Sequence, residues 1–253
     1  MALRLDIDGA VATITMDRPH QRNAFSNQMW GDLAAACETI AGDDNVRVVV
    51  LQGAGASFSA GGDFNDFAEL TTLAQRQAYL RRVLAAYAAY ERLPLPTIAA
   101  VDGIAVGGGC ELAIVSDIVV ATERARFGLP EGKVGLYPGV AVARGQGRIT
   151  ARLLDYLIYT GRVVDAETAR QGNLVTLITP SSALDETLSE LTGDIAAQAP
   201  LALAAAKRAA LTARAAGGYQ STAEQIPELM TTADHAEGLS AFAAGRSPSF
   251  QGA

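Results

Sequence analysis

The chain has 253 residues, of which 49% are hydrophobic and 19% charged, so it can bury a large core and disorder is excluded as its general state. Its net charge of -7 argues against a general nucleic-acid binder, which would carry a basic patch. Two lone cysteines, Cys37 and Cys110, make neither a disulfide framework nor a zinc ligand set, and point to a reducing compartment, hence the cytoplasm.

Taken in chain order, residues 3–8 and 10–16 alternate or are β-branched about Gly9, which predicts a hairpin. The opening stretch shows no basic segment followed by an apolar one, so no signal peptide is expected. Trp30, Leu33 and Cys37 share one face of a helix expected over 27–40. The β-branched run 46–51 reads as a buried strand, followed by the glycine-rich loop GAGASFSAGGD. A long helix is expected over 70–93, stopped by Pro94 and Pro96. Residues 97–101 predict another buried strand, 111–116 a short apolar helix and 118–121 the next strand. Such alternation implies parallel βαβ units. Beyond residue 155 the pattern turns mainly helical, with a last strand at 174–178. An Ala-rich helical segment runs from residue 200 to the end. No apolar run reaches membrane-spanning length.

Several motifs fail on inspection. Gly53-Ala54-Gly55 follows a strand, but Phe58 stands where a dinucleotide loop needs its third glycine. The triple glycine 107–109 lacks the Lys-Ser/Thr of a phosphate-binding P-loop, and no G-x-S-x-G elbow surrounds Ser57, Ser59 or Ser116. With only His20 and His235, a histidine-based metal site is not expected, and both read as solvated side chains.

Two features remain. The stretches VRVVVLQGAGASFSAGGD and TIAAVDGIAVGGGCELA each run from a strand through glycines into a helix. The glycines can simply make tight turns. Alternatively, the free N–H groups at two such junctions can converge on one oxygen and stabilise negative charge developing there. The second feature is the pair Glu111 and Glu131. Each can be a capping or surface carboxylate, or the two can divide proton work in a dry pocket.

Together these residues resemble the enoyl-CoA hydratase/isomerase (crotonase) superfamily. The likeness runs from Asp17-Arg18-Pro19 and Asn23-Ala24 through Phe58-Ser59-Ala60-Gly61-Gly62-Asp63 and LPLPTIAAVDG to AVGGGCELA, Ser116-Asp117, FGLPE, Gly135, Pro138-Gly139 and the C-terminal AFAAGRSPSF. It implies an α/β spiral of ββα units over 1–199 and a helical trimerisation segment over 200–253, assembled as a homotrimer or homohexamer. It implies that the N–H groups of Ala60 and Gly108 form the oxyanion hole for a thioester carbonyl. Glu111 and Glu131 would then be the two hydratase carboxylates, whereas isomerases of the family typically keep only the second. The substrate would be an acyl-CoA thioester, with CoA part of the substrate rather than a separate cofactor. Its adenine end would lie near His20, Gln21 and Arg22, with Gly61, Gly62 and Asp63 also at the substrate. The segment Val140–Gly145 departs from the pattern, with Ala141 and Val142 in place of glycines beside the second glutamate. An isomerase, another CoA-thioester hydrolase or lyase, and a non-catalytic acyl-CoA binder are the alternatives.

Overall fold

The computed structural model describes residues 2–214, 227, 230–246 and 248. Its N-terminal hairpin pairs β1 (Leu3–Asp8) with β2 (Val11–Met16), and Gly9 takes the turn at φ +56°. Helix α1 (Asn27–Ala41) follows, capped by the Ser26 side chain, and buries Trp30, Leu33, Cys37 and Ile40 as the periodicity predicts. Next come β3 (Val48–Gly53) and the short β4 (Ser57–Ser59).

A separate six-residue α2 (Phe64–Glu69), not expected from the sequence, precedes the helix expected over 70–93. That helix is α3 (Leu73–Glu91), trimmed at both ends. Thr72 and Gln75 form a capping box that starts α3. Strand β5 (Thr97–Val101) and the short β6 (Ile104–Val106) lead into α4 (Gly108–Val115). That helix begins three residues earlier than expected. Gly107 is therefore its N-cap, Gly108 and Gly109 open its first turn, and Glu111 is already inside the helix.

Strands β7 (Ile118–Thr122) and β8 (Arg126–Gly128) precede a 3-10 turn at Glu131–Val134 and α5 (Gly139–Arg144). The rest of the core is α6 (Ala151–Thr160), β9 (Val163–Asp165), α7 (Ala166–Gln171), β10 (Leu177–Thr179) and α8 (Leu184–Ala196). The last strand starts three residues later than expected. Helices α9 (Pro200–Arg214) and α10 (Ala233–Ala243) complete the described chain, and the end of AFAAGRSPSF lies mostly outside the described residues.

Two sheets result. One has the order β1-β2-β3-β5-β7-β10 and is parallel apart from the hairpin. The other has the order β4-β6-β8-β9, with only the last pair antiparallel. Each turn of the spiral contributes one long strand to the first sheet and one short strand to the second before the chain returns through helix. The long strands β3 and β5 are buried on both faces, which is why they read as unbroken apolar runs. The function-bearing loops sit where short strands end, between the second sheet and α3. No helix among the described residues is long and apolar enough to cross a membrane.

Candidate active site

A cavity of about 670 Å³ opens where β4 and β6 end, bounded by α3 and by the turn that carries Glu131. The loop after β4 forms one wall. Its shape is fixed from behind by the Asp17–Ala24 segment. Asn23, fully buried, donates through Nδ2 to the carbonyls of Ala54 and Ser57 at 2.9 and 2.7 Å, and its own carbonyl accepts from Ser59 Oγ. Arg18 pairs with Asp63 at 2.9 Å and also donates to the Ala24 carbonyl at 2.6 Å. Asp63 further caps α2 by accepting from the Asn65 N–H. Asp63 borders the cavity as expected, but its carboxylate braces the loop.

The backbone of this loop decides which amide is available. Residues Phe25 and Gly62 form a parallel bridge, in which Phe25 N–H donates to Gly61 and Asp63 N–H donates to Phe25. The N–H of Gly62 therefore faces the opposite edge, toward α4. By the same logic Ala60 is spent: its N–H donates to the Arg22 carbonyl at 2.9 Å. The assignment of Ala60 as an oxyanion donor is thus corrected, because an amide already bonded to a backbone carbonyl cannot hold a ligand oxygen. The N–H groups of Gly62 and Gly108 meet no acceptor among the described residues, and both residues line the cavity. Gly61, at φ +86°, lets the two junctions meet, since a Cβ there would stand 3.0 Å from the Gly108 nitrogen. Two such donors, exposed at a water-poor surface, suit an oxygen that gains negative charge.

The carboxylates face this pair. Glu111, on the first turns of α4, is buried; its Oε1 accepts from the N–H groups of Val140 and Ala141 at 2.9 and 3.0 Å, and Tyr87 Oη lies 3.3 Å from its Oε2. Burial pushes its pKa up to about 7, partly offset by those hydrogen bonds. Glu131 Oε2 is buried without a hydrogen-bond partner, and its Oε1 stands 3.3 Å from where a Gly107 Cβ would be. Burial and the neighbouring Glu111 hold Glu131 well above the ordinary carboxylate range. At neutral pH one carboxyl is therefore poised to ionise while the other keeps its proton, a division suited to base and acid. The segment Val140–Gly145, expected beside the second glutamate, also holds the first, through the amides of Val140 and Ala141. Val142 does not line the cavity, whereas Val140 does.

Gln21 and Arg22 line the mouth, but His20 is exposed on the same turn and does not line the cavity. His235 is not solvated: it is buried against the Glu131 turn, with Nδ1 2.6 Å from the Val134 carbonyl. Arg246 pairs with Glu237 at 2.8 Å rather than reaching the cavity. The face of α3 that closes the site, Tyr79, Leu80, Val83, Leu84 and Tyr87, went unnoticed in the sequence. Its i, i+1, i+4, i+5, i+8 spacing was the available signal. Trp30 completes that wall by donating its indole N–H to Tyr79 Oη at 3.2 Å.

Comparison with known proteins identifies the family and the fold. The family model described as Enoyl-CoA hydratase/isomerase matches residues 6–253. The 2,3-dehydroadipyl-CoA hydratase of Escherichia coli (strain K12) is 35% identical over 246 residues, covering 96% of this chain and 95% of that protein. A crystal structure of an enoyl-CoA hydratase from Mycobacterium avium subsp. paratuberculosis K-10 superposes with a TM-score of 0.90 at 25% identity, covering 99% of both chains. One of an enoyl-CoA hydratase from Bacillus anthracis gives 0.81 at 32% identity, covering all of both chains.

Proposed function

Since the chain belongs to the enoyl-CoA hydratase/isomerase family, we propose that this site adds water reversibly across the 2,3-double bond of a trans-2-enoyl-CoA. The activity at family level is that of an enoyl-CoA hydratase, a hydro-lyase. The observation that carries the mechanism is the pairing of two buried carboxyls of unequal proton affinity with two free amides in one cavity.

In the forward direction the thioester oxygen accepts from the N–H groups of Gly62 and Gly108. Glu111 removes a proton from water as its oxygen bonds to the β-carbon. The π electrons move onto the thioester oxygen as an enolate. Glu131 then gives its proton to the α-carbon, and the carbonyl re-forms. The water proton is left on Glu111 and the Glu131 proton on the product, so atoms balance; transfer between the carboxyls restores the site. CoA enters as part of the substrate, its phosphates meeting Arg22 and Lys133 at the cavity mouth.

We assign the spiral core to residues 1–199 and the helical segment to 200–253, and propose a homotrimer or homohexamer in the cytoplasm. The exposed apolar side chains Tyr159 and Leu201 support association, because they would otherwise face water.

The test is turnover of a panel of 2-enoyl-CoA thioesters in 18O-labelled water. Incorporation of label at the β-carbon is expected. Double-bond migration without label would give the site to isomerisation, and tight binding without turnover would make it a non-catalytic acyl-CoA binder.

A further inference from the structure

Tyr87 touches both halves of the proposed machinery. It is fully buried on α3, and its hydroxyl donates to the Gly108 carbonyl at 2.8 Å while standing 3.3 Å from Glu111 Oε2. A neutral phenol has one proton to give. At 2.8 Å the bond to Gly108 is made; at 3.3 Å the contact with Glu111 is long for O–H···O. We propose that Tyr87 is a positioning residue that ties Gly108, through its carbonyl, to Glu111, its single proton changing partner as Glu111 loses and gains its own.

The inference rests on the hydratase reading of the site and extends it to a residue outside the carboxylates and amides. With Glu111 ionised, a charge-assisted bond is about twice as strong as a neutral one, so the phenol proton turns to Oε2. With Glu111 protonated, the carboxyl O–H donates to the phenol oxygen, and the phenol returns its proton to the Gly108 carbonyl. Either way the Tyr87 oxygen stays between the two groups. The switch needs Tyr87 to remain a phenol. Burial first, then the charges of Glu111 and Glu131 and the neighbouring Tyr79, hold it well above its ordinary pKa. Cys110, the remaining titratable group beside the carboxylates on α4, is held as a thiol, chiefly by burial. The ring cannot retreat, because it packs on Trp30 with centroids 5.1 Å apart. Nor can residue 108 grow: a Cβ there would stand 3.0 Å from the Tyr87 hydroxyl.

The decisive variant is Tyr87→Phe. Losing a bond that favours ionised Glu111 should raise its titration midpoint, so the acid limb of kcat/KM should move up by about one pH unit. We expect kcat to fall roughly tenfold, with KM changed less than about twofold. Tyr90→Phe removes an equally buried phenol, bonded to Ser116 at 3.0 Å one turn along α3, and should leave the acid limb in place. Carbon-13 titration of δ-labelled glutamate reads Glu111 without any turnover, so the inference is tested even where the hydratase reading fails. Should Tyr87→Phe not fold, 3,5-difluorotyrosine at position 87, a stronger donor of the same shape, should move the Glu111 midpoint down. An unmoved Glu111 titration in either variant overturns the proposal, as does equal movement in Tyr90→Phe.

Discussion

His235 on α10 donates its Nδ1–H to the carbonyl of Val134, at 2.6 Å, and so holds the last residue of the turn that begins with Glu131. A carbonyl only accepts, so this contact fixes the tautomer with the proton on Nδ1. The two backbones are pressed together: a Cβ on Gly238 would stand 2.6 Å from Val134 Cα, and one on Gly135 would stand 2.9 Å from the His235 nitrogen. His235→Ala should cost about 1–3 kcal/mol of stability by stranding the carbonyl. It should also lower kcat by loosening Glu131. Denaturant melts and initial rates check both.

The same histidine makes stability depend on pH. Burial, its main perturbation, lowers its pKa below the ordinary 6.5. The unfolded chain then binds a proton that the folded one refuses, so this contribution is full above 6.5 and is lost as pH falls toward the folded value. His235→Asn keeps a donor near the Val134 carbonyl and should flatten the Tm-against-pH curve below 6.5. An unchanged slope would remove His235 from the acid response.

The carboxylates should give a bell-shaped rate profile. Hydration needs Glu111 ionised, so the rate falls as pH drops through about 7; it needs Glu131 protonated, so it falls again as pH rises past that group's raised value. The limbs belong to the interacting pair rather than to either residue alone. Glu111→Gln and Glu131→Gln should each lower kcat by about 10²–10⁴-fold. Glu111→Gln should still exchange α-protons with deuterated solvent, followed by NMR, because Glu131 and the amides remain. Hydration by Glu111→Gln at the wild-type rate would return Glu111 to the role of a helix carboxylate.

The amides can be tested by shape alone. Gly61→Ala strains a φ of +86° and puts a methyl beside the Gly108 nitrogen. Turnover should fall by roughly 10²–10³-fold, the effect of losing one oxyanion donor. Gly193→Ala, in α8 where an added Cβ meets nothing within 4 Å, should leave turnover alone and add about 0.5–1 kcal/mol of stability. Circular dichroism and rates distinguish the two.

Val140→Pro removes one of the two amides that hold Glu111 Oε1, at a first-turn position of α5 where proline is tolerated. With less help for the ionised form, the acid limb should move to higher pH. A profile superimposable on wild type would show that the Ala141 amide suffices.

Much of this was legible in the chain, and what was not has physical reasons. The buried strands β3, β5 and β7 and the helix carrying Trp30 announced themselves through β-branched runs and 3.6-residue periodicity. Strands β4, β6, β8 and β9 have three residues each, too few for any period to register. The glycine loop was visible, but the choice between the Ala60 and Gly62 amides depends on pairing with Phe25. Amides two apart in an extended segment would face the same edge; the positive φ of Gly61 turns the Gly62 amide away from that of Ala60, and the sequence does not announce that turn. His235 read as solvated because its partner lies 101 residues away, in a turn with no pattern of its own.

Glu111 and the proposed oxyanion occupy the starts of two different helices: the amides of Val140 and Ala141 open α5, and that of Gly108 opens α4. In the hydration proposed above, Glu111 becomes neutral as the thioester oxygen becomes negative. The reaction then carries one negative charge from the mouth of one helix to the mouth of the next, and the charge enclosed by the cavity never changes. This first relocation asks little rearrangement of the surrounding dipoles, since Glu111 and the thioester oxygen each rest against N–H groups. The cavity wall acts as a fixed solvent that passes a single anion from Glu111 to the thioester oxygen and on to Glu131, and the return journey crosses the same ground.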